Sequence, residues 1–87
     1  GYTHVSLYLL QDGMLQLQHQ VGYNHVIWRL PVAEGVMGRV ARSGVAELLE
    51  DVHSDPVFVG AISGIVSEIC VPLFDQSQVV GVLNVET

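Results

Sequence analysis

The chain has 87 residues, 49% of them hydrophobic, and a formal charge of −6 from nine acids set against Arg29, Arg39 and Arg42, with no lysine. A chain this short forms one domain and buries only about 60% of the surface its unfolded form exposes, yet its apolar content points to a packed core and not to disorder. Three arginines cannot build a nucleic-acid-binding surface, a P-loop needs a lysine, and no apolar run nears the roughly 20 residues of a membrane span.

We therefore expect a soluble, cytoplasmic chain with no nucleic-acid partner and no membrane contact. Cys70 is the single cysteine, which excludes an internal disulfide and a Cys-x-x-Cys pair. The sequence opens almost directly into a strand-like run and stops inside another, as a fragment of a larger signalling protein would.

His4 to Gln11 (HVSLYLLQ) is rich in β-branched, aromatic and leucine residues and reads as a first strand. Asp12-Gly13 is a two-residue hairpin signal, because both positions tolerate positive φ. In the second strand, Met14 to Val21, Leu15, Leu17, His19 and Val21 alternate with Gln16, Gln18 and Gln20, which predicts one apolar and one polar face. Gly22 to Asn24 is a turn. Val26 to Leu30 reads as a short strand or an irregular run, and Pro31 argues against a long strand.

Val36, Met37 and Val40 sit at helical spacing, with Gly44 placed to close a helix of two turns. Ala46 to Leu49 is a further strand. Asp55-Pro56 suits a helical turn, with the aspartate as N-cap and the proline at the first helical position. Ile65 to Leu73, closed by Pro72, and Val79 to Val85 are the last strands, joined by the polar turn Asp75 to Gln78. Consecutive strands with tight turns imply an antiparallel sheet with helical pieces inserted.

Four segments carry a resemblance: Gly35–Gly44 (GVMGRVARSG), Asp51–Pro56 (DVHSDP), Ser67–Leu73 (SEICVPL) and Val80–Glu86 (VGVLNVE). In this order and spacing they resemble the GAF family over residues 5–87. The resemblance implies an α+β fold with a central antiparallel sheet of five to six strands, short helices, a ligand pocket under loops, and terminal flanking helices that this sequence lacks.

Within the family the pattern is similar to the free methionine-(R)-sulfoxide reductases. Their reacting cysteines fall where this chain has Met37 and Ala61, and neither side chain can supply a thiolate. The resemblance so read implies no catalytic residue and no enzyme. A phosphodiesterase-type Asn-Lys-(x)n-Phe-(x)3-Asp-Glu signature needs a lysine. Bilin attachment uses a cysteine commonly followed by histidine, whereas Val71 follows Cys70. Haem needs an axial histidine, and His4, His19, His25 and His53 show no metal-ligand spacing.

Glu68 and Cys70 share one face of their strand, as do Val80, Val82, Asn84 and Glu86 of theirs. Polar groups there are costly unless paired. By resemblance Glu68, Asn84 and Glu86 line a pocket for a small amine or amino acid. Alternatively, Glu68 bonds a loop backbone and Glu86 is solvated. Trp28 stacks on a ligand or serves a core or dimer contact, and Asp51 caps the turn after its strand or touches the ligand.

Two functions follow from the resemblance. One is a sensory domain that binds a small molecule of unknown identity beneath Val57–Ser63 and relays occupancy to an output domain in a multidomain protein. The other is a ligand-free dimerisation scaffold whose pocket is filled by Phe58, Ile62 and Trp28. In either case a homodimer would form through the missing flanking helices. The cofactor is unknown.

Overall fold

The computed structural model describes residues 3–50, 57 and 67–87. Within them the elements run β1 (His4–Gln11), β2 (Met14–Val21), β3 (Arg29–Pro31), α1 (Gly35–Ser43), β4 (Glu47–Leu49), β5 (Glu68–Asp75) and β6 (Gln78–Glu86). The strands form one antiparallel sheet in the order β3-β2-β1-β6-β5-β4. Two hairpins, β1–β2 and β5–β6, therefore lie side by side. Their junction sets His4 opposite Glu86, so residues far apart in sequence share one stretch of sheet. The turn proposed at Asp55-Pro56 lies outside the described residues.

Local chemistry accounts for most boundaries. Asp12 and Gly13 both take positive φ, 53° and 76°, as a primed two-residue hairpin demands. The run ahead of Pro31 does become a strand, but of three residues only, and it sits at the sheet edge beside β2. At Pro72 the expectation needs correction: β5 runs on to Asp75. Partner β4 reaches only Glu68–Cys70, so beyond that point β5 has one neighbour, and the proline's missing N–H breaks no ladder on its open side.

Two β-bulges alter which residues face inward. In the β1–β2 pair Leu7 opposes His19 while the next residue, Tyr8, opposes Leu17, leaving Gln18 as an extra residue. A bulge reverses the alternation beyond it. His19 and Val21, expected on the apolar face, are therefore exposed, and Gln20 turns inward. In the β5–β6 pair Leu73 opposes Gly81 and Phe74 opposes Val79. Val80 is the extra residue there, and it leaves the inner face held by Val82, Asn84 and Glu86.

Helix α1 covers this inner face. Val36, Met37, Val40 and Ala41 are buried from the helix side, and Tyr8, Leu15, Leu30, Cys70 and Val82 meet them to complete the core. Gly44 ends the helix with φ 70°, its N–H on the Val40 carbonyl at 2.8 Å, as expected of a left-handed cap. The Arg39 guanidinium grips Glu47 through two bonds of 2.7 and 2.6 Å, which ties α1 to β4. Among the described residues no helix is long and apolar enough to cross a membrane.

Candidate functional site

Strand register turns the inner face into rows. Leu17, Tyr8, Val82 and Pro72 form an apolar row. The next row is Gln20, Ser6, Asn84, Cys70 and Glu47, and the one beyond it is His4, Glu86, Glu68 and Leu49. The face thus changes from apolar to polar in a single step along the strands. Ser6, Glu68, Asn84 and Glu86 are all buried there, at 4, 3, 1 and 5% exposure. Burial on this scale rules out the reading of Glu86 as a solvated residue.

A pocket opens at the boundary between the rows. Its floor is Ser6 and Tyr8 of β1, Leu17 and Gln20 of β2 and Glu86 of β6. Tyr23, Val26 and Ile27, from the irregular stretch between β2 and β3, form its rim, and Met37 of α1 closes the far side. It encloses about 290 Å³, its open mouth included, and its inner part admits little more than a water-sized group. Gln20 reaches this floor only because of the bulge at Gln18.

Glu86 is the chemical centre of the pocket. The Tyr23 hydroxyl donates to its Oε1. Burial raises the Glu86 carboxyl above the ordinary 4.5, while the Tyr23 bond and the charge of His4 pull the other way. Tyr23 is itself pushed strongly upward, first by burial and then by its bond to Glu86, so it is a neutral donor. Tyr8 is raised to about 12 by burial and by Glu86, and its hydroxyl donates to the Ile27 carbonyl at 2.5 Å, pinning the rim. The His4 and Tyr23 rings lie 5.0 Å apart at 50°.

The sequence-derived candidates distribute unevenly about this centre. Glu86 lines the pocket. Glu68 is its cross-strand neighbour, and Asn84 is buried with Oδ1 lacking a hydrogen-bond partner among the described residues, but neither is part of the lining. Trp28 is 70% exposed and is not part of the lining. Asp51, Phe58 and Ile62, like Ala61 and His53, lie outside the described residues. So does the stretch expected to cover the pocket, apart from Val57, which is exposed.

Of the lining, only Glu86 is a sequence-derived candidate; the polar and aromatic members Ser6, Tyr8, Gln20 and Tyr23 and the apolar Leu17, Val26, Ile27 and Met37 are not. The alternation Ser6, Tyr8, Leu10 in β1 could have revealed the first two. Nothing local points to Tyr23, whose role depends on a contact with a residue 63 positions away.

Sulfur chemistry is constrained by two positions. Met37 is 6% exposed and faces the pocket as a thioether. Cys70 is fully buried, and burial, followed by the charges of Glu68, Glu47 and Glu86, pushes its thiol up to about 12. At neutral pH it is a protonated packing group, not a nucleophile.

A curled antiparallel sheet with a helix over one face and a partly polar pocket between them defines the class, and the chain belongs to the GAF domain family, whose model matches residues 3–87. The free methionine-R-sulfoxide reductase of Escherichia coli K12 is 32% identical over 94% of this chain and 49% of its own length. Protein YtsP of Bacillus subtilis 168 is 31% identical over 88% and 47%. The Neisseria meningitidis free methionine-R-sulfoxide reductase, solved in complex with its substrate, superposes with a TM-score of 0.90 at 30% identity, over 97% of this chain and 51% of that one.

The chain spans about half the length of the curated relatives it matches. These relatives correct one expectation. The expectation of no enzyme, drawn from Met37 and Ala61 at the cysteine positions, does not stand beside 30–32% identity to named reductases from two organisms.

Proposed function

We propose that this GAF domain binds a small ammonium-bearing molecule of the free amino-acid class, with Glu86 as the anchoring carboxylate. The observation that carries the reading is a 5% exposed carboxylate set in the floor of an aromatic-walled pocket. A buried anion is costly unless a donor or a cation answers it, and an ammonium supplies both charge and three donors. Tyr8, Leu17 and Met37 would flank the apolar part of such a ligand. Kinship with reductases of free methionine-R-sulfoxide makes that compound the first to test.

Titration calorimetry of the chain with L-methionine R-sulfoxide and with its analogue lacking the amine is the test. The amine-bearing compound should bind, and Glu86→Gln should weaken it tenfold or more, about the worth of a charge-assisted hydrogen bond. Equal affinity for both compounds, or no effect of the substitution, would sink the proposal. Adding a dithiol reductant to the same samples and following loss of the sulfoxide shows whether turnover accompanies binding.

A second reading is favoured by Met37 in the pocket wall. Here occupancy of the pocket is the signal, and a larger protein relays it to an output domain by population shift. Ligand-dependent change in the activity of a fused output domain would support this reading. An output indifferent to saturating ligand would exclude it.

A further inference from the structure

Glu86 already has a donor in the structure, and that donor stands where a ligand's own would have to go. Tyr23 lies in the irregular stretch that crosses from β2 to the edge strand β3. This stretch is fastened at both ends. The Tyr23 N–H donates to Gln20 Oε1 at 3.0 Å, the Leu17 N–H donates to the Trp28 carbonyl at 2.9 Å, and Tyr8 holds Ile27. Between these anchors the Tyr23 hydroxyl is held by its bond to Glu86 and by a side-chain hydrogen bond with Ser6, and its ring packs tilted on His4. His4 Nδ1 is buried with no hydrogen-bond partner among the described residues, while the imidazole's charge acts on Glu86 beside it.

The inner pocket admits little more than a water-sized group with Tyr23 in place, which is too small for an amino acid. We propose that Tyr23 is the specificity gate of this pocket: its hydroxyl occupies the site on Glu86 that a ligand's donor must take, and a ligand enters by displacing the ring. The proposal rests on the binding function assigned to Glu86 above.

A displaceable phenol selects by chemistry. It is a neutral single donor, so a neutral alcohol or amide offers Glu86 nothing better and does not repay the loss of the existing bond. The phenol's bond to a carboxylate is already charge-assisted, but an ammonium adds a full opposite charge and further donors that the phenol lacks. The gate therefore discriminates against uncharged molecules of the same shape, by competition instead of by steric exclusion. Displacing the ring also moves it off His4, so that occupancy is felt at the start of β1, at the junction of the two hairpins.

The test compares the wild-type chain with Tyr23→Phe and His4→Ala, each titrated with L-methionine R-sulfoxide and with the analogue lacking the amine. Tyr23→Phe keeps the ring and removes the competing donor. It should bind the amine-bearing compound about tenfold tighter and narrow the preference over neutral molecules. His4→Ala loosens the packing of the ring and also removes the imidazole's charge beside Glu86; it should tighten binding in the same direction by less. Tyr23 ring resonances should shift on ligand addition to the wild type.

Equal or weaker binding by both variants, with the wild type still binding and Glu86→Gln not, would show Tyr23 to be a fixed wall or a ligand contact. That outcome overturns the gate and leaves the binding function standing. Binding by Tyr23→Phe alone supports the gate in its strongest form. No binding by any variant removes the function and the gate together.

Discussion

Glu86 holds a carboxylate in a place that prefers it protonated. Its folded pKa lies above the ordinary 4.5 because burial outweighs the help of Tyr23 and His4. Folding therefore takes up protons over the window between 4.5 and the raised value. The stability this group contributes is fully present below about 4.5 and is lost as pH rises through the folded value. Glu86→Gln removes that loss. Thermal melts of the two proteins should show the variant gaining on the wild type as pH goes from about 4 to about 8. A difference that stays constant across this range would mean that the carboxyl is not shifted. At the same scale, Met37 and Cys70 show how placement decides chemistry: the thioether faces the pocket and the thiol is sealed in the core.

Helix α1 owes its position to one residue without a side chain. A Cβ on Gly38 would lie 2.5 Å from the Val32 carbonyl oxygen, and the Arg42 guanidinium donates to that same oxygen. The carbonyl is thus held from two sides and cannot retreat cheaply. Alanine is the better helix former by about 1 kcal/mol, whereas forcing a methyl against backbone costs about 1–3 kcal/mol or more. The clash should win. Gly38→Ala is expected to lose about 1–2 kcal/mol in urea unfolding, and a more stable variant would show that α1 can slide away from Val32. Strand β2 teaches a related lesson. Its alternating glutamines describe a perfect ribbon, but the bulge at Gln18 re-aims everything beyond it.

The whole molecule carries a charge of −6 on 87 residues with no lysine to offset it. Self-repulsion of this kind destabilises the compact state and is screened by salt. The Arg39–Glu47 pair acts in the opposite sense, but its side chains are 33 and 24% exposed, and such pairs contribute about 0.5 kcal/mol. Repulsion summed over the surface should outweigh one bridge. The melting temperature should therefore rise by a few degrees between about 20 and about 300 mM sodium chloride. A fall would mean that specific ion pairs dominate.

The sequence by itself determined the two hairpins, the short helix with its glycine cap and the GAF resemblance, because each depends on a few neighbouring residues whose backbone preferences are local. It also determined that Glu68 and Cys70 share one face of their strand and Asn84 and Glu86 one face of theirs, since alternation within a strand is local too. Only the tertiary structure decided which of them meets the pocket. Glu86 does so because β1–β6 pairing sets it opposite His4 and the Tyr23 hydroxyl reaches its carboxylate, while Asn84 and Glu68 are buried on the same sheet without lining the pocket. Register and bulges are set by packing across the sheet, which no single segment encodes, and so the pocket's rim of Tyr23 and Ile27 and its inward Gln20 became visible only in the fold.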